Sequence, residues 1–68
     1  MNDLAAKVGA KIRTLRKEKG YSQERLALTA KLDRSYVGRI ERGEVNITIE
    51  TLFQLADTIG CDAKTLLP

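Results

Sequence analysis

The chain has 68 residues, of which 43% are hydrophobic and 31% are charged, so we expect residues 1–68 to form one small globular domain rather than a disordered segment. Histidine is absent, and cysteine occurs once, as Cys61. The acidic residues are scattered, and no glycine-rich phosphate loop is present, so the residue types and spacings that most catalytic sites need are missing. We therefore predict a protein that is not an enzyme and that uses neither a cofactor nor a metal ion.

Charge is distributed unevenly along the chain, although the net charge is only +3. Residues 1–42 contain eleven Lys or Arg and five Asp or Glu, whereas residues 43–68 contain one Lys and four acidic residues. A basic region followed by an acidic one favours a polyanionic partner on one side of the domain. Charged outer faces are also usual in soluble helices, so this pattern alone leaves both interpretations open.

The sequence carries no sign of a membrane segment or of export. No apolar run approaches the ~20 residues that span a bilayer, and no signal-peptide pattern opens the chain. Cys61 cannot form an internal disulfide, which fits a reducing compartment, and we interpret it as a small buried hydrophobic residue. We expect a cytoplasmic protein.

The first predicted helix covers residues 3–19 and should pack one apolar stripe against the core. That stripe consists of Leu4, Val8, Ile12 and Leu15. Gly9 interrupts the helix with a residue that costs ~1 kcal/mol of helix propensity relative to alanine. Its presence indicates close packing against another element.

Two short helices joined by a tight turn follow, at residues 22–30 and 33–42. Ser22 and Asp33 are favourable N-cap residues, because their side-chain oxygens can accept hydrogen bonds from amides of the first turn. The apolar residues at helical spacing are Leu26, Ala27 and Ala30 in the first helix and Val37 and Ile40 in the second. The other side of the second helix carries Arg34, Ser35, Tyr36 and Arg39. This arrangement predicts a helix–turn–helix with a donor-rich second helix.

The remaining residues predict a fourth helix over 49–59 and a short fifth helix over 63–67, which completes an all-α, five-helix architecture. Thr48 and Asp62 are expected to cap these two helices. The apolar face of the fourth helix comprises Ile49, Leu52, Phe53, Leu55, Ala56 and Ile59. Three glycines are expected to end helices in the left-handed conformation, namely Gly20, Gly43 and Gly60.

Four segments, in this order and spacing, resemble the helix-turn-helix domain of the phage lambda repressor and Cro class, often called the XRE family. They are L-R-K-E-K-G at 15–20, S-Q-E-R-L-A at 22–27, S-Y-V-G-R-I-E-R-G at 35–43 and I-E-T-L-F-Q-L-A at 49–56. Within the family, L-D-R-S-Y-V followed by N-I-T-I-E is most similar to the controller proteins of restriction–modification systems. The resemblance implies a compact lambda-repressor-like fold and a transcriptional regulator, such as a repressor, that binds double-stranded DNA at specific sequences.

The resemblance also implies a structural ion pair and raises a question about the turn. Relatives pair an arginine at the place of Arg16 with a glutamate at the place of Glu41, and the fork of an arginine suits a partly buried carboxylate. Relatives commonly have glycine where this chain has Lys31, because the backbone there is left-handed. Another residue costs ~1 kcal/mol or more in that conformation. Either the chain tolerates this cost, or the turn is altered and the recognition helix is shifted.

Recognition helices of this class place their N-terminal residues on base edges in the major groove. Arg34, Ser35 and Arg39 match the base-contacting positions of the family. Arg34 predicts a guanine preference, because a guanidinium group pairs with guanine O6 and N7. The alternative for Arg39 is a phosphate contact, or an ion pair with Asp33 or Glu44.

Other residues are candidates for contacts to the DNA backbone, which position a protein without reading sequence. Gln23 stands at the start of the second helix, where amides and the helix dipole favour a phosphate, and its family counterpart also braces the recognition helix. The full set of backbone candidates is Ser22, Gln23, Arg42, Asn46 and Thr48.

Tyr36 could contact a thymine methyl group or a phosphate, or could instead be a partly buried core residue. Arg13 and Arg25 are weaker candidates, and we expect both to be solvated.

One recognition helix reads too few base pairs to select a site, and family members dimerise on half-sites ~34 Å apart. We therefore expect a homodimer on an inverted-repeat operator, which would block or recruit RNA polymerase. The expected dimer interface draws on Leu67, Leu66, Ile47, Ile49, Phe53 and Ile59, although these residues could instead close the monomer core. Two other functions stay open, namely a DNA-binding antitoxin of a small operon and a helical protein–protein adaptor that does not bind DNA.

Overall fold

The computed structural model describes the backbone of residues 2–68 and the side chains from residue 4 onward. Four α-helices follow one another, α1 (Asn2–Glu18), α2 (Gln23–Ala30), α3 (Arg34–Glu41) and α4 (Ile49–Ile59). A 3₁₀ helix, Ala63–Leu66, comes last, and the described residues contain no strand. The all-α prediction is confirmed, and the fifth predicted helix is this 3₁₀ helix rather than an α-helix over 63–67.

Side-chain caps begin three of the helices. Their oxygens accept hydrogen bonds from amides two or three residues later, Ser22 from Arg25 at 3.0 Å, Asp33 from Ser35 at 3.2 Å and Thr48 from Thr51 at 3.1 Å. These three caps confirm the predicted helix starts. Asp62 precedes the 3₁₀ helix, but its side chain makes no capping hydrogen bond, so its predicted role was wrong.

One hydrophobic core is shared by all of these helices. Its buried members are Val8, Ile12, Leu26, Ala27, Ala30, Val37, Ile40, Leu52, Leu55, Ala56, Ile59 and Leu66. Leu4, Ile49 and Phe53 belong to predicted apolar faces but are exposed. The neighbouring helices therefore cover only part of the apolar faces of α1 and α4.

Gly9 marks the place where α1 comes closest to α3. A Cβ atom at this position would collide with the carbonyl oxygen of Ile40 and would lie 2.8 Å from that of Glu41. The close packing indicated by this glycine is confirmed. As a result, α1 lies directly against the C-terminal end of α3.

The turn between α2 and α3 is left-handed at Lys31, with φ 62° and ψ 43°. Three hydrogen bonds hold this segment, from the Lys31 amide to Leu28 O at 3.2 Å, from the Leu32 amide to Ala27 O at 2.8 Å, and from Gln54 Nε2 to Ala30 O at 2.6 Å. The first two close the end of α2 as in a Schellman motif, and the third comes from α4. The chain therefore tolerates a non-glycine residue here.

The three predicted helix-ending glycines, Gly20, Gly43 and Gly60, all have positive φ.

Candidate nucleic-acid interface

Helix α3, the second helix of the helix–turn–helix, divides its residues between the core and the outside. Val37 and Ile40 are buried, whereas Arg34, Ser35 and Arg39 are exposed. Ser35 and Arg39 are four positions apart, which places them on the same side of the helix, and Arg34 borders the same surface. The three exposed residues therefore form one outward face that is rich in hydrogen-bond donors.

A polar depression of about 310 Å³ lies on this outward face. It is lined by Gln23, Arg34, Ser35, Gly38, Arg39 and Arg42. No carboxylate of the described side chains lines it, whereas three guanidinium groups do. Gly38 is buried in the middle of the helix. It leaves room for the guanidinium group of Arg42, because a Cβ atom at this position would lie only 3.2 Å from Arg42 Nη1. The depression thus offers positive charge and donors to a phosphate or to the acceptor edge of a base.

Arg34 and Arg39, the two arginines within α3, are weakly engaged with other side chains. Arg34 Nη1 lies 3.9 Å from Glu24 Oε1, and both side chains are exposed. Arg39 forms no ion pair with any side chain from residue 4 onward. Its alternative partners are occupied elsewhere, because Asp33 caps α3 and Glu44 bonds to another arginine.

A buried network joins α1, α2 and α3 behind this face. Arg16 donates to Glu41 twice, from Nε to Oε2 at 2.6 Å and from Nη2 to Oε1 at 3.0 Å. Its Nη1 donates to the carbonyl oxygen of Tyr21 at 2.8 Å, and Gln23 Nε2 donates to Glu41 Oε1 at 3.0 Å. Within the described part of the chain, no buried side-chain nitrogen or oxygen lacks a partner. The predicted pair of Arg16 and Glu41 is therefore present, with the additional hydrogen bonds that a buried ion pair requires.

The candidates for backbone contact differ in how free their polar groups are. The hydroxyl oxygens of Ser22 and Thr48 cap helices, and Asn46 is exposed. Arg42 Nε donates to Glu44 Oε2 at 2.7 Å, and this hydrogen bond holds the pKa of the Glu44 carboxyl below its usual range. The pairing of Arg42 with Glu44 was not predicted, and the short spacing across the helix-ending glycine was the only signal for it.

Two further candidate side chains, Tyr36 and Arg25, contact other parts of the domain. Tyr36 is half-buried and packs against the hydrophobic core, which corresponds to the core alternative for this residue. The guanidinium carbon of Arg25 lies 5.1 Å from the centre of the Tyr21 ring, within the range of a cation–π interaction. Arg25 is exposed to solvent, as expected, and its guanidinium group also lies over the ring of Tyr21.

A separate apolar groove of about 260 Å³ borders α1, the loop after α3 and the start of α4. Exposed Leu4, Ile49 and Leu67 and half-buried Ile47 line it. Phe53, one turn after Ile49, is also exposed. Four of the predicted dimer residues therefore leave apolar surface in contact with water.

Two other predicted dimer residues are not accessible. Leu66 and Ile59 have exposed fractions of 0% and 4% and belong to the monomer core, so their assignment to an interface was wrong. Leu67 follows the 3₁₀ helix in an extended conformation and is 44% exposed. Helical spacing indicated which way these side chains point, but it did not indicate which other element covers them.

Cys61 is half-buried against the core, and burial raises the pKa of its thiol, which disfavours the reactive thiolate. The described residues contain no group of three or more His, Cys, Asp or Glu side chains that could hold a metal ion. Among residues 2–68, no helix is both long and apolar enough to cross a membrane.

Comparison with known proteins matches the chain to the helix-turn-helix family HTH_3 over residues 12–66. A hypothetical transcription factor of Neisseria meningitidis is 40% identical over 65 residues, which cover 96% of this chain and 61% of that protein. The crystal structure of the restriction-modification controller protein C.AhdI from Aeromonas hydrophila superimposes with a TM-score of 0.90 and 41% identity, covering 93% of this chain and 96% of that one.

A second similar structure contains DNA. It is the complex of SinR, a master regulator for biofilm formation, with a TM-score of 0.83 and 37% identity over 87% of this chain and 95% of that one. The resemblance stated from the motifs is confirmed, including its narrower likeness to controller proteins. The matched residues include the whole helix–turn–helix. They contain both the exposed basic face of α3 and the buried pair of Arg16 and Glu41 behind it. The chain belongs to the HTH_3 helix-turn-helix family, whose members are DNA-binding transcriptional regulators and not enzymes.

Proposed function

We propose that this chain binds an inverted-repeat operator in double-stranded DNA as a homodimer, with α3 of each copy in the major groove. Residues 1–68 act as one DNA-binding domain, and occupancy of the operator blocks or recruits RNA polymerase. The observation that carries the proposal is the depression on α3, which three arginines and no described carboxylate line.

The roles within α3 follow from position and chemistry. Arg34 and Ser35 lie in the first turn, which enters the groove most deeply in helix–turn–helix proteins. Arg39 lies one turn later on the same face and reads a base edge or holds a phosphate. The loose contact of Arg34 with Glu24 at 3.9 Å is easily exchanged for guanine, because an exposed ion pair contributes little in water. Tyr36 adds a peripheral contact from its partly buried position.

The backbone contacts come from residues that flank α3. Gln23 and Arg42 border the depression directly. Ser22, Asn46 and Thr48 extend the contact to either side. These residues fix the register of the helix in the groove and carry no sequence preference of their own.

The dimer is supported by the apolar surface that a single copy leaves exposed. Ile49 and Phe53 have exposed fractions of 74% and 60%, and the groove beside Ile49 also exposes Leu67. Apolar patches bordered by polar residues mark interaction sites in soluble proteins. A second copy of the chain, seated on this surface together with Ile47, would remove it from water.

Selection of bound duplexes from a random pool tests the proposal. We expect an inverted repeat with guanine in each half-site, half-site centres ~34 Å apart, and two chains per duplex by analytical ultracentrifugation. The logarithm of the affinity should fall steeply with the logarithm of salt concentration, since phosphate contacts release counterions. Binding that is insensitive to salt, or no enriched sequence, would instead favour the adaptor function.

Replacing Arg34 by alanine should relax the preference at one position of each half-site by ~1–3 kcal/mol, the value of a bidentate guanine contact. The matched variant Asn46→Ala removes an exposed backbone candidate and should weaken binding to all sequences by the same factor. Both effects are measured by repeating the selection and titrating single-base variants of the site. A uniform loss in Arg34→Ala would reassign this residue to the backbone.

A further inference from the structure

A second polar cavity lies beside the depression on α3 and reaches α1. Its volume is about 260 Å³, and it is lined by Arg13, Arg16, Gln23, Glu41 and Arg42. Gln23 and Arg42 also line the depression on α3. The two cavities therefore form one continuous polar surface that extends from the recognition helix to α1.

The charge of this second cavity comes from its rim. Arg16 and Glu41 neutralise each other through two hydrogen bonds and are buried. Arg13 is exposed and forms no ion pair with any side chain of residues 4–68. Arg42 bonds to Glu44, which does not line the cavity. Two guanidinium groups and the amide group of Gln23 thus surround a space with no net negative charge, which suits an oxyanion.

The packing of α1 explains why Arg13 stands at this place. Gly9 lets α1 approach the backbone of α3 at Glu41, where a Cβ atom would lie 2.8 Å from the carbonyl oxygen. A residue four positions later returns to the same side of a helix. Arg13 therefore lies beside the C-terminal end of α3, next to Arg42.

We infer that Arg13, Arg42 and Gln23 hold one phosphate group of the DNA backbone, so that α1 contributes to the DNA interface. The inference rests on the proposed function. Arginine binds phosphate oxygens favourably, because its guanidinium group can donate two hydrogen bonds at once. Arg42 already donates to Glu44, so Arg13 beside it supplies further donors to the phosphate. This contact positions the domain on the duplex and does not read sequence.

The experiment compares Arg13→Gln with Lys11→Gln. Lys11 is also exposed on α1, but it lines a different cavity, with Ala10, Thr14 and Thr65. Both variants lose one positive charge from the same helix and keep their solubility. Affinity for a mixed-sequence duplex and for the selected repeat is measured over a series of salt concentrations, and thermal unfolding checks that both variants are folded.

We expect Arg13→Gln to reduce the slope of log affinity against log salt by ~0.9 per bound chain, the value for one phosphate, and to weaken both duplexes by the same factor. Lys11→Gln should leave the slope unchanged, and Arg13→Lys should restore most of it. Equal slopes in Arg13→Gln and Lys11→Gln would overturn the inference. Wild-type protein that binds neither duplex would overturn the proposed function itself, which is a distinguishable result.

Free inorganic phosphate could occupy the same cavity. A titration of the unbound protein with phosphate, at constant ionic strength in chloride, follows the side-chain NMR signals of Arg13 Nε and the Gln23 amide group. Shifts together with the slope change support a phosphate site that DNA fills. Shifts without a slope change mean a site for free anions only and overturn the assignment to DNA.

Discussion

Two arginine–glutamate pairs lie at the C-terminal end of α3 and involve consecutive residues, yet their surroundings are opposite. Arg16 and Glu41 are joined at 2.6 Å with side chains 8% and 2% exposed. Arg42 and Glu44 are joined at 2.7 Å with side chains 59% and 49% exposed. The two distances are almost equal, so length alone does not distinguish the pairs.

The difference in burial determines what each pair does. A buried charge that loses its partner keeps the cost of leaving water, so the pair of Arg16 and Glu41 cannot be separated without disturbing the fold. An exposed pair is screened by water and salt, and its arginine can exchange a carboxylate for another anion. Glu41 therefore holds α3 in place, whereas Arg42, the next residue, can exchange Glu44 for another anion.

The largest expected effect is that of Glu41→Gln. It leaves the buried guanidinium of Arg16 without a counter-charge, which costs ~3–5 kcal/mol. Folding stabilities of ~0.05–0.15 kcal/mol per residue amount to ~3–10 kcal/mol for 68 residues, so much of the protein should be unfolded. Urea denaturation followed by circular dichroism measures the loss.

The matched control for that variant is Glu44→Gln, the same chemical change three residues later. Its denaturation midpoint should equal that of the wild type. Similar midpoints for Glu41→Gln and Glu44→Gln would contradict the assignment of Glu41 as the residue that secures α3.

A smaller loss is expected for Gly9→Ala, which tests the close packing that buries the pair. The added Cβ would press on the carbonyl oxygens of Ile40 and Glu41, and overpacking of this kind costs ~1–3 kcal/mol. Gly38→Ala is the matched control, because its Cβ would meet side-chain ends rather than backbone, 3.2 Å from Arg42 Nη1 and 3.5 Å from Gln23 Oε1. That control should gain up to ~1 kcal/mol of helix propensity. Equal denaturation midpoints for the two variants would contradict the tight contact of α1 with α3.

The smallest effect on stability belongs to Glu44→Gln, and its readout is DNA affinity. In the proposed interface Glu44 competes with phosphate for Arg42, so its neutralisation should strengthen binding to duplexes at neutral pH. The measurement is fluorescence anisotropy at fixed ionic strength. Weaker binding would mean that Glu44 orients Arg42 for DNA rather than competes for it.

The pH dependence of this competition has a definite sign. The hydrogen bond from Arg42 lowers the pKa of Glu44, so the pair is intact above the ordinary carboxyl pKa and is lost only as pH falls through the lowered value. The advantage of Glu44→Gln over the wild type should therefore persist into mildly acidic solution and disappear below the lowered pKa. An advantage that disappears already at the ordinary carboxyl pKa would contradict the pairing.

The helix boundaries were predictable because their signals are local. Ser22, Asp33 and Thr48 cap helices through amides two or three residues away, and such contacts need no distant partner. Lys31 shows the limit of local signals. Its left-handed backbone costs ~1 kcal/mol or more, and one bond that holds the end of α2 beside it comes from Gln54, 24 residues after its acceptor.

The sequence by itself determined the four helices, the left-handed glycines at the ends of α1, α3 and α4, and the donor-rich face of α3, since periodicity and capping depend on neighbouring residues. Only the tertiary structure decided which apolar residues are covered. It buried Leu66 and Ile59 and left Ile49 and Phe53 in water, because a helical period gives a side chain a direction but does not determine what packs there. It also brought Arg13 beside Arg42, a proximity that depends on the packing of α1 against α3.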